Sequence, residues 1–102
     1  MSSFIIYIKN FLKNYQKTNN SLNDVRVGEG AIVEINNRKV AAYKKSESEI
    51  IKLSPVCTHL GCQVNWNSAD KTWDCPCHGS RYDIEGNVKQ GPATIPLHKV
   101  FN

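Results

Sequence analysis

All four cysteines and two of the three histidines of this chain fall in two short segments, Cys57-Thr58-His59-Leu60-Gly61-Cys62 and Cys75-Pro76-Cys77-His78-Gly79-Ser80. Thiolates and imidazoles are the side chains that bind borderline-soft metals, and thiols can also pair with one another. Spacing excludes some chemistries. Cys75-Pro76-Cys77-His78 is not Cys-x-x-Cys-His, so c-type haem attachment does not fit. Cys57 and Cys62 have four residues between them, not the two of a thioredoxin-like redox pair. Three readings remain. Two plain disulfides would use the cysteines but leave unexplained a histidine two residues after Cys57 and another directly after Cys77. A structural zinc site would take two cysteines and two histidines in a tetrahedron, with two cysteines to spare. In the third, each segment offers one thiolate and one imidazole, as Cys57-x-His59 and Cys75-x-x-His78, and Cys62 and Cys77 are left over.

Both segments lie between strand patterns, where a loop can turn side chains inward and glycine permits a tight bend. Ala31–Ile35 and Lys39–Tyr43 flank Asn36-Asn37, a hairpin signal. The apolar stretch Ile50–Leu53 follows Glu47-Ser48-Glu49. Gln63–Trp66 and Lys71–Trp73 alternate about a turn at Asn67–Asp70, and Arg81–Ile84 turns at Glu85-Gly86-Asn87 into Val88–Gln90. A last short strand is expected over Leu97–Phe101, after Pro96. Short strands with regular turn signals predict an all-β domain of small antiparallel sheets. Upstream, Phe4, Ile8, Phe11, Leu12 and Tyr15 recur at helical spacing opposite Lys9, Lys13 and Lys17. That pattern predicts a short N-terminal helix over 4–17, ended by Thr18–Ser21. The chain therefore divides into an amphipathic segment with linker, 1–20, and a β domain, 21–102.

At 102 residues and 11.5 kDa there is room for one modest core, and a domain this small is often stapled by a metal or disulfides. The longest apolar run, Phe4–Ile8, is far shorter than a membrane span or a signal-peptide core, so the chain itself predicts no span and a cytoplasmic location. Net charge is +4, and the first twenty residues supply three of those charges. The remainder is close to neutral and lacks the basic stripe of a nucleic-acid-binding domain.

The two segments, extended through Arg81-Tyr82, resemble the two boxes of the Rieske domain, and the resemblance runs from about Val25 to Asn102. It implies a Rieske-type fold with two cluster-binding loops. One [2Fe-2S] cluster per chain would be held by Cys57 and Cys75 on one iron and by His59 and His78 on the other. It also implies a disulfide between Cys62 and Cys77, found in the branch of the family that has this second pair. In the family pattern the position of Ser80 donates a hydrogen bond to a bridging sulfide, and that of Tyr82 to the sulfur of the first cysteine ligand. Gly91-Pro92-Ala93 would pack over the cluster, with Leu60 and Pro92 shielding it from water.

Ligand charge sets the redox character. Two ferric ions and two sulfides carry two positive charges, which two thiolates cancel. An electron is more easily added to a neutral centre than to the doubly negative one that four thiolates would give. The resemblance thus implies a high-potential, one-electron carrier with no catalytic acid, base or nucleophile of its own. His59 and His78 are expected at an exposed tip, Trp66 and Trp73 in the core, and His98 on the surface.

Val64-Asn65-Trp66-Asn67, Thr72-Trp73-Asp74-Cys75 and Gly91-Pro92-Ala93 are similar to the C-terminal Rieske domain of bacterial FAD-dependent oxidoreductases. The partner implied is a redox protein or a fused FAD-binding domain, though these 102 residues contain no dinucleotide-binding glycine-rich segment. Two other functions compete: a zinc-binding interaction module, and the soluble head of a cytochrome bc-type quinol-oxidising complex.

Overall fold

Asn36 and Asn37 both take positive φ, 52° and 65°, the backbone that closes a two-residue hairpin and follows the twist of its strands. They join β1 (Gly30–Ile35) to β2 (Arg38–Ser46) in the computed structural model, which describes residues 21–101. β3 (Glu49–Leu53) returns along β2, so the first sheet is antiparallel in the order β1-β2-β3. The second sheet is also a meander, β4 (Asn65–Asn67), β5 (Thr72–Asp74), β6 (Arg81–Tyr82) and β7 (Val88–Gln90). The all-β expectation with small antiparallel sheets holds.

Two details differ from it. Leu97–Phe101 is not a strand: Lys99 forms an isolated bridge to Leu53, flanked by hydrogen bonds Ser54 N to His98 O and Val100 N to Lys52 O. Pro96 and the exposed side chains of His98, Lys99 and Phe101 leave too little buried surface for a longer ladder there. Ile84 lies outside β6, because the Asp83 carboxylate caps the turn by accepting the N–H groups of Glu85 and Asn87. The helix expected over 4–17, and with it the boundary of the 1–20 segment, lies outside the described residues. Among those residues the helical element is a single 3₁₀ turn, Leu22–Asp24, whose Asn23 N–H is capped by the Ser21 hydroxyl.

Strand alternation gives the first sheet two apolar faces. Ile32, Ala41 and Leu53 face the second sheet, where they meet Val64, Trp66, Trp73, Tyr82 and Leu97. Val33, Val40 and Ala42 point the other way and pack with Val25, Leu22 and Val100. At the centre, Trp66, Trp73 and Tyr82 stand opposite one another across β4, β5 and β6. Gly30 lies against this row: a Cβ there would sit 2.9 Å from Trp66 and from Trp73 ring atoms. Gly30→Ala is therefore expected to destabilise the domain by about 1–3 kcal/mol through overpacking, read as a lower denaturant midpoint with unchanged slope.

A polar clamp joins the sheets at the same place. The Lys71 ammonium, carried on a positive-φ residue (55°), bonds the Gly28 carbonyl at 2.8 Å and the Glu29 carboxylate, whose other oxygen accepts the Trp66 indole N–H at 3.1 Å. Hydrogen bonds from Lys71 first, then Ser68 and Trp66, bring the Glu29 carboxyl down from 4.5 to about 2. A depressed carboxyl contributes stability above its unfolded value and loses it as pH falls through its folded value. Stability should accordingly decline between pH 4.5 and about 2, and Glu29→Gln should flatten that decline in denaturant titrations across the window.

Candidate metal centre

The two Cys/His segments connect different strand pairs, the first β3 to β4 and the second β5 to β6, yet they fold as duplicates. In the first, Cys57 N–H donates to Cys62 O at 2.7 Å and Gly61 N–H to Cys57 O at 2.9 Å. In the second, Cys75 N–H donates to Ser80 O at 2.8 Å and Gly79 N–H to Cys75 O at 3.1 Å. Gly61 and Gly79, at φ +79° and +85°, occupy matching places, which a residue with a Cβ would strain. Each bend thus satisfies its own backbone and aims its first cysteine inward. Cys57 and Cys75 are 2% and 3% exposed, and their sulfurs interact with each other.

The remaining cysteines, Cys62 and Cys77, are joined in a disulfide that ties one bend to the other. The reading of two disulfides is overturned, since Cys57 and Cys75 are free thiols. The sulfurs of Cys62, Cys75 and Cys77 all lie within 4.8 Å of one another, but the disulfide leaves only Cys75 of the three able to bind as a thiolate. His59 and His78 are exposed at the tip, their rings 5.3 Å apart and nearly perpendicular. The two bends therefore bring Cys57, Cys75, His59 and His78 to one end of the domain, thiols deeper and imidazoles outermost. His98 is elsewhere, exposed, with its backbone carbonyl bound by Ser54 N–H.

Around the sulfurs the structure supplies hydrogen bonds. The Tyr82 hydroxyl, on a fully buried residue, is 3.3 Å from Cys57 Sγ and accepts the Thr58 N–H at 3.1 Å. Burial pushes the Cys57 thiol up, but the bonds from Tyr82 and from the backbone N–H of His59 outweigh it and bring the thiol below its ordinary value. Burial raises the Cys75 thiol, and it raises the Tyr82 phenol as well. Ser80, also fully buried, accepts the Ala93 N–H at 3.0 Å, so its own hydroxyl proton stays available to donate.

A third segment, 91–96, is stitched to both bends. Ala93 bonds Ser80, and the Thr58 hydroxyl donates to Ile95 O. Ala93 is buried in the core, whereas Pro92 and Leu60 are exposed. Sequence reasoning missed Thr58. A threonine beside a ligand-type cysteine signals nothing until its carbonyl partner, 37 residues away, is known. Ile95 and Val56, 54% and 50% exposed, were likewise not anticipated as surface apolar groups of this end.

Two buried thiols and two exposed imidazoles, with the Tyr82 hydroxyl beside one of the sulfurs, form a donor set for iron in mixed sulfur and nitrogen ligation or for zinc. Comparison with known proteins narrows the choice. The sequence model of the Rieske [2Fe-2S] domain matches residues 18–101. The Rieske 2Fe-2S iron-sulfur protein YhfW of Bacillus subtilis (strain 168) is 42% identical over 85 residues, 83% of this chain and 17% of that protein. The cytochrome b6-f complex iron-sulfur subunit of Chlorobaculum thiosulfatiphilum is 42% identical over 74 residues, 72% of this chain and 40% of the subunit. The chain thus spans well under half the length of either relative. Among solved structures, the plasma membrane Rieske protein PetC3 of Synechocystis PCC 6803 is similar at TM-score 0.60 and 34% identity, over 69% of this chain and 72% of that one. With the motif, the sheets and the paired bends all in agreement, the chain belongs to the Rieske [2Fe-2S] domain family.

Proposed function

We propose that Cys57 and Cys75 hold one iron of the cluster and His59 and His78 the other, and that the chain relays single electrons to or from an FAD-dependent oxidoreductase domain. The observation that carries the ligand assignment is the pair of duplicate bends, which bring two buried thiols and two exposed imidazoles together while the other two cysteines are spent in a disulfide. The cluster supplies a reversible one-electron couple. The protein's residues do the rest. The disulfide and the 91–96 segment hold the bends in register, and the exposed imidazoles offer a short path to a partner. Tyr82 and Ser80 would donate their hydroxyl protons to the sulfurs of the bound cluster, the roles that the family pattern gives these positions. The flavin partner draws support from the likeness of Val64–Asn67, Thr72–Cys75 and Gly91–Ala93 to the C-terminal Rieske domain of FAD-dependent oxidoreductases; YhfW, of which the match covers 17%, has the length to carry a further domain.

Hydrogen bonds to sulfur are stronger when the cluster carries the extra electron, so they favour reduction. If about half of a roughly 1.5–3 kcal/mol charged hydrogen bond is differential, Tyr82→Phe should lower the midpoint potential by about 30–60 mV. Protein-film voltammetry measures this directly, and an unchanged midpoint would remove Tyr82 from that role.

A second reading, the head of a quinol-oxidising complex, is favoured by the similarity to the b6-f subunit. Stopped-flow mixing separates the two. Rapid reduction by a reduced FAD-dependent oxidoreductase, with none by a hydroquinone, supports the proposal, and the opposite pattern supports the alternative. The zinc-binding module predicts a colourless protein without sulfide. Iron, sulfide and visible spectra of anaerobically prepared protein test that directly.

A further inference from the structure

We infer that Tyr82, Trp73, Trp66 and Tyr43 form a second electron path, by which a strong one-electron oxidant at the sheet surface draws an electron from the thiolate side of the reduced cluster. This rests on the ligand assignment proposed above. Every tyrosine and tryptophan among residues 21–101 stands in this row. The Tyr82 hydroxyl is 3.3 Å from Cys57 Sγ. Tyr82 and Trp73 are directly opposed across β5 and β6, with side chains on one face of the sheet. Trp73 and Trp66 have ring centroids 4.9 Å apart, and Trp66 and Tyr43 5.4 Å, both within contact distance for aromatic pairs. Trp73 is also two residues from Cys75 in the chain, which gives it a covalent route to the other buried sulfur. Tyr43 is half-buried on β2, where the row reaches the surface.

The row has a polarity. The Trp73 indole N–H is buried with no hydrogen-bond partner, so nothing beside it stabilises a positive charge on that ring. Trp66 instead donates to the Glu29 carboxylate, which favours positive charge at the outer end even with Lys71 on the carboxylate's other side. An oxidised ring is therefore held near the surface until an electron arrives from within. The step balances without further reagents. The oxidant, an oxygen-derived radical or an equivalent one-electron acceptor, would take one electron from Trp66, and the reduced cluster would replace it by way of Trp73; neither indole need lose a proton, and Tyr82 and Tyr43 serve as bridges that are not themselves oxidised, so their phenol protons stay in place. Apolar packing alone would be served by leucine or phenylalanine and does not require oxidisable rings in unbroken order.

The test uses the cluster-loaded protein with a ruthenium polypyridyl photo-oxidant on a single introduced thiol. Lys45→Cys places it two residues from Tyr43, and Lys89→Cys places it on β7, whose Gln90 bonds the Gly79 carbonyl of the second bend. After a flash from Lys45→Cys, transient indole-radical absorption should precede cluster oxidation. Trp66→Phe should abolish that transient and Trp73→Phe should prolong it, and each should slow cluster oxidation by roughly tenfold or more, about 1.4 kcal/mol in the barrier. From Lys89→Cys the same substitutions should change nothing. If Trp66→Phe leaves the Lys45→Cys rate unaltered, or slows both placements equally, the path is refuted. Trp66→Phe keeps the test available should Trp73→Phe fold poorly. The visible spectrum and midpoint of each variant report separately on the ligand assignment, because a wrong assignment would not depend on the row at all.

Discussion

Cys75→Ser is expected to yield a chain that folds its sheets but retains little or no iron and no visible absorption. Cys75 is almost fully buried, and burial raises its thiol, so this site depends on iron to draw out the thiolate. A serine alkoxide is far harder to form in the same surroundings and is a poorer ligand for an iron–sulfur centre. On the proposed assignment no other cysteine can step in, because Cys62 and Cys77 are bound to each other and Cys57 would already hold the iron. His98→Ala is the matching control: that imidazole is exposed and away from the bends, so iron and sulfide content should be unchanged. Iron and sulfide assays with a visible spectrum decide the matter. A Cys75→Ser protein with its full complement of cluster would overturn the ligand assignment.

The second large effect is expected from opening the disulfide. Cys62 and Cys77 are 15 residues apart in sequence, and cross-linking a loop of that size restricts the unfolded chain by about 3 kcal/mol in the chain-entropy description. Against a total stability of roughly 5–15 kcal/mol for a domain, that is a large share. Cys62→Ser combined with Cys77→Ser should lower stability by about this amount in denaturant unfolding of the loaded protein. It should also speed cluster loss, since the bends are then joined only by hydrogen bonds and by the 91–96 segment. Adding reductant should bring the parent close to the double variant. A difference within about 0.5 kcal/mol, the range of an ordinary surface substitution, would mean that the bends hold their positions without the link.

Much of this architecture could be read from residue order. Asn36-Asn37 announces its hairpin because few other pairs tolerate positive φ at both places. The alternation in β1 and β2 predicts their faces, and the Cys/His spacing singles out the two bends. The C-terminal strand was over-read, since an alternating pattern says nothing about whether a neighbouring edge is long enough to accept it. Thr58 and the Glu29–Lys71 clamp were invisible for a related reason. Their partners lie 37 and 42 residues away, and polar side chains at such separations carry no periodicity. The row of four aromatic rings likewise becomes a row only once three strands and β2 are set side by side.

Because both bends follow one backbone recipe, the chain path does not distinguish the two halves of the site. Counting from the leading cysteine, the imidazole hangs two places along in one bend and three in the other, while the linked sulfurs hang five and two places along. Selectivity for what is gripped is thus written in side-chain offsets on a shared mould.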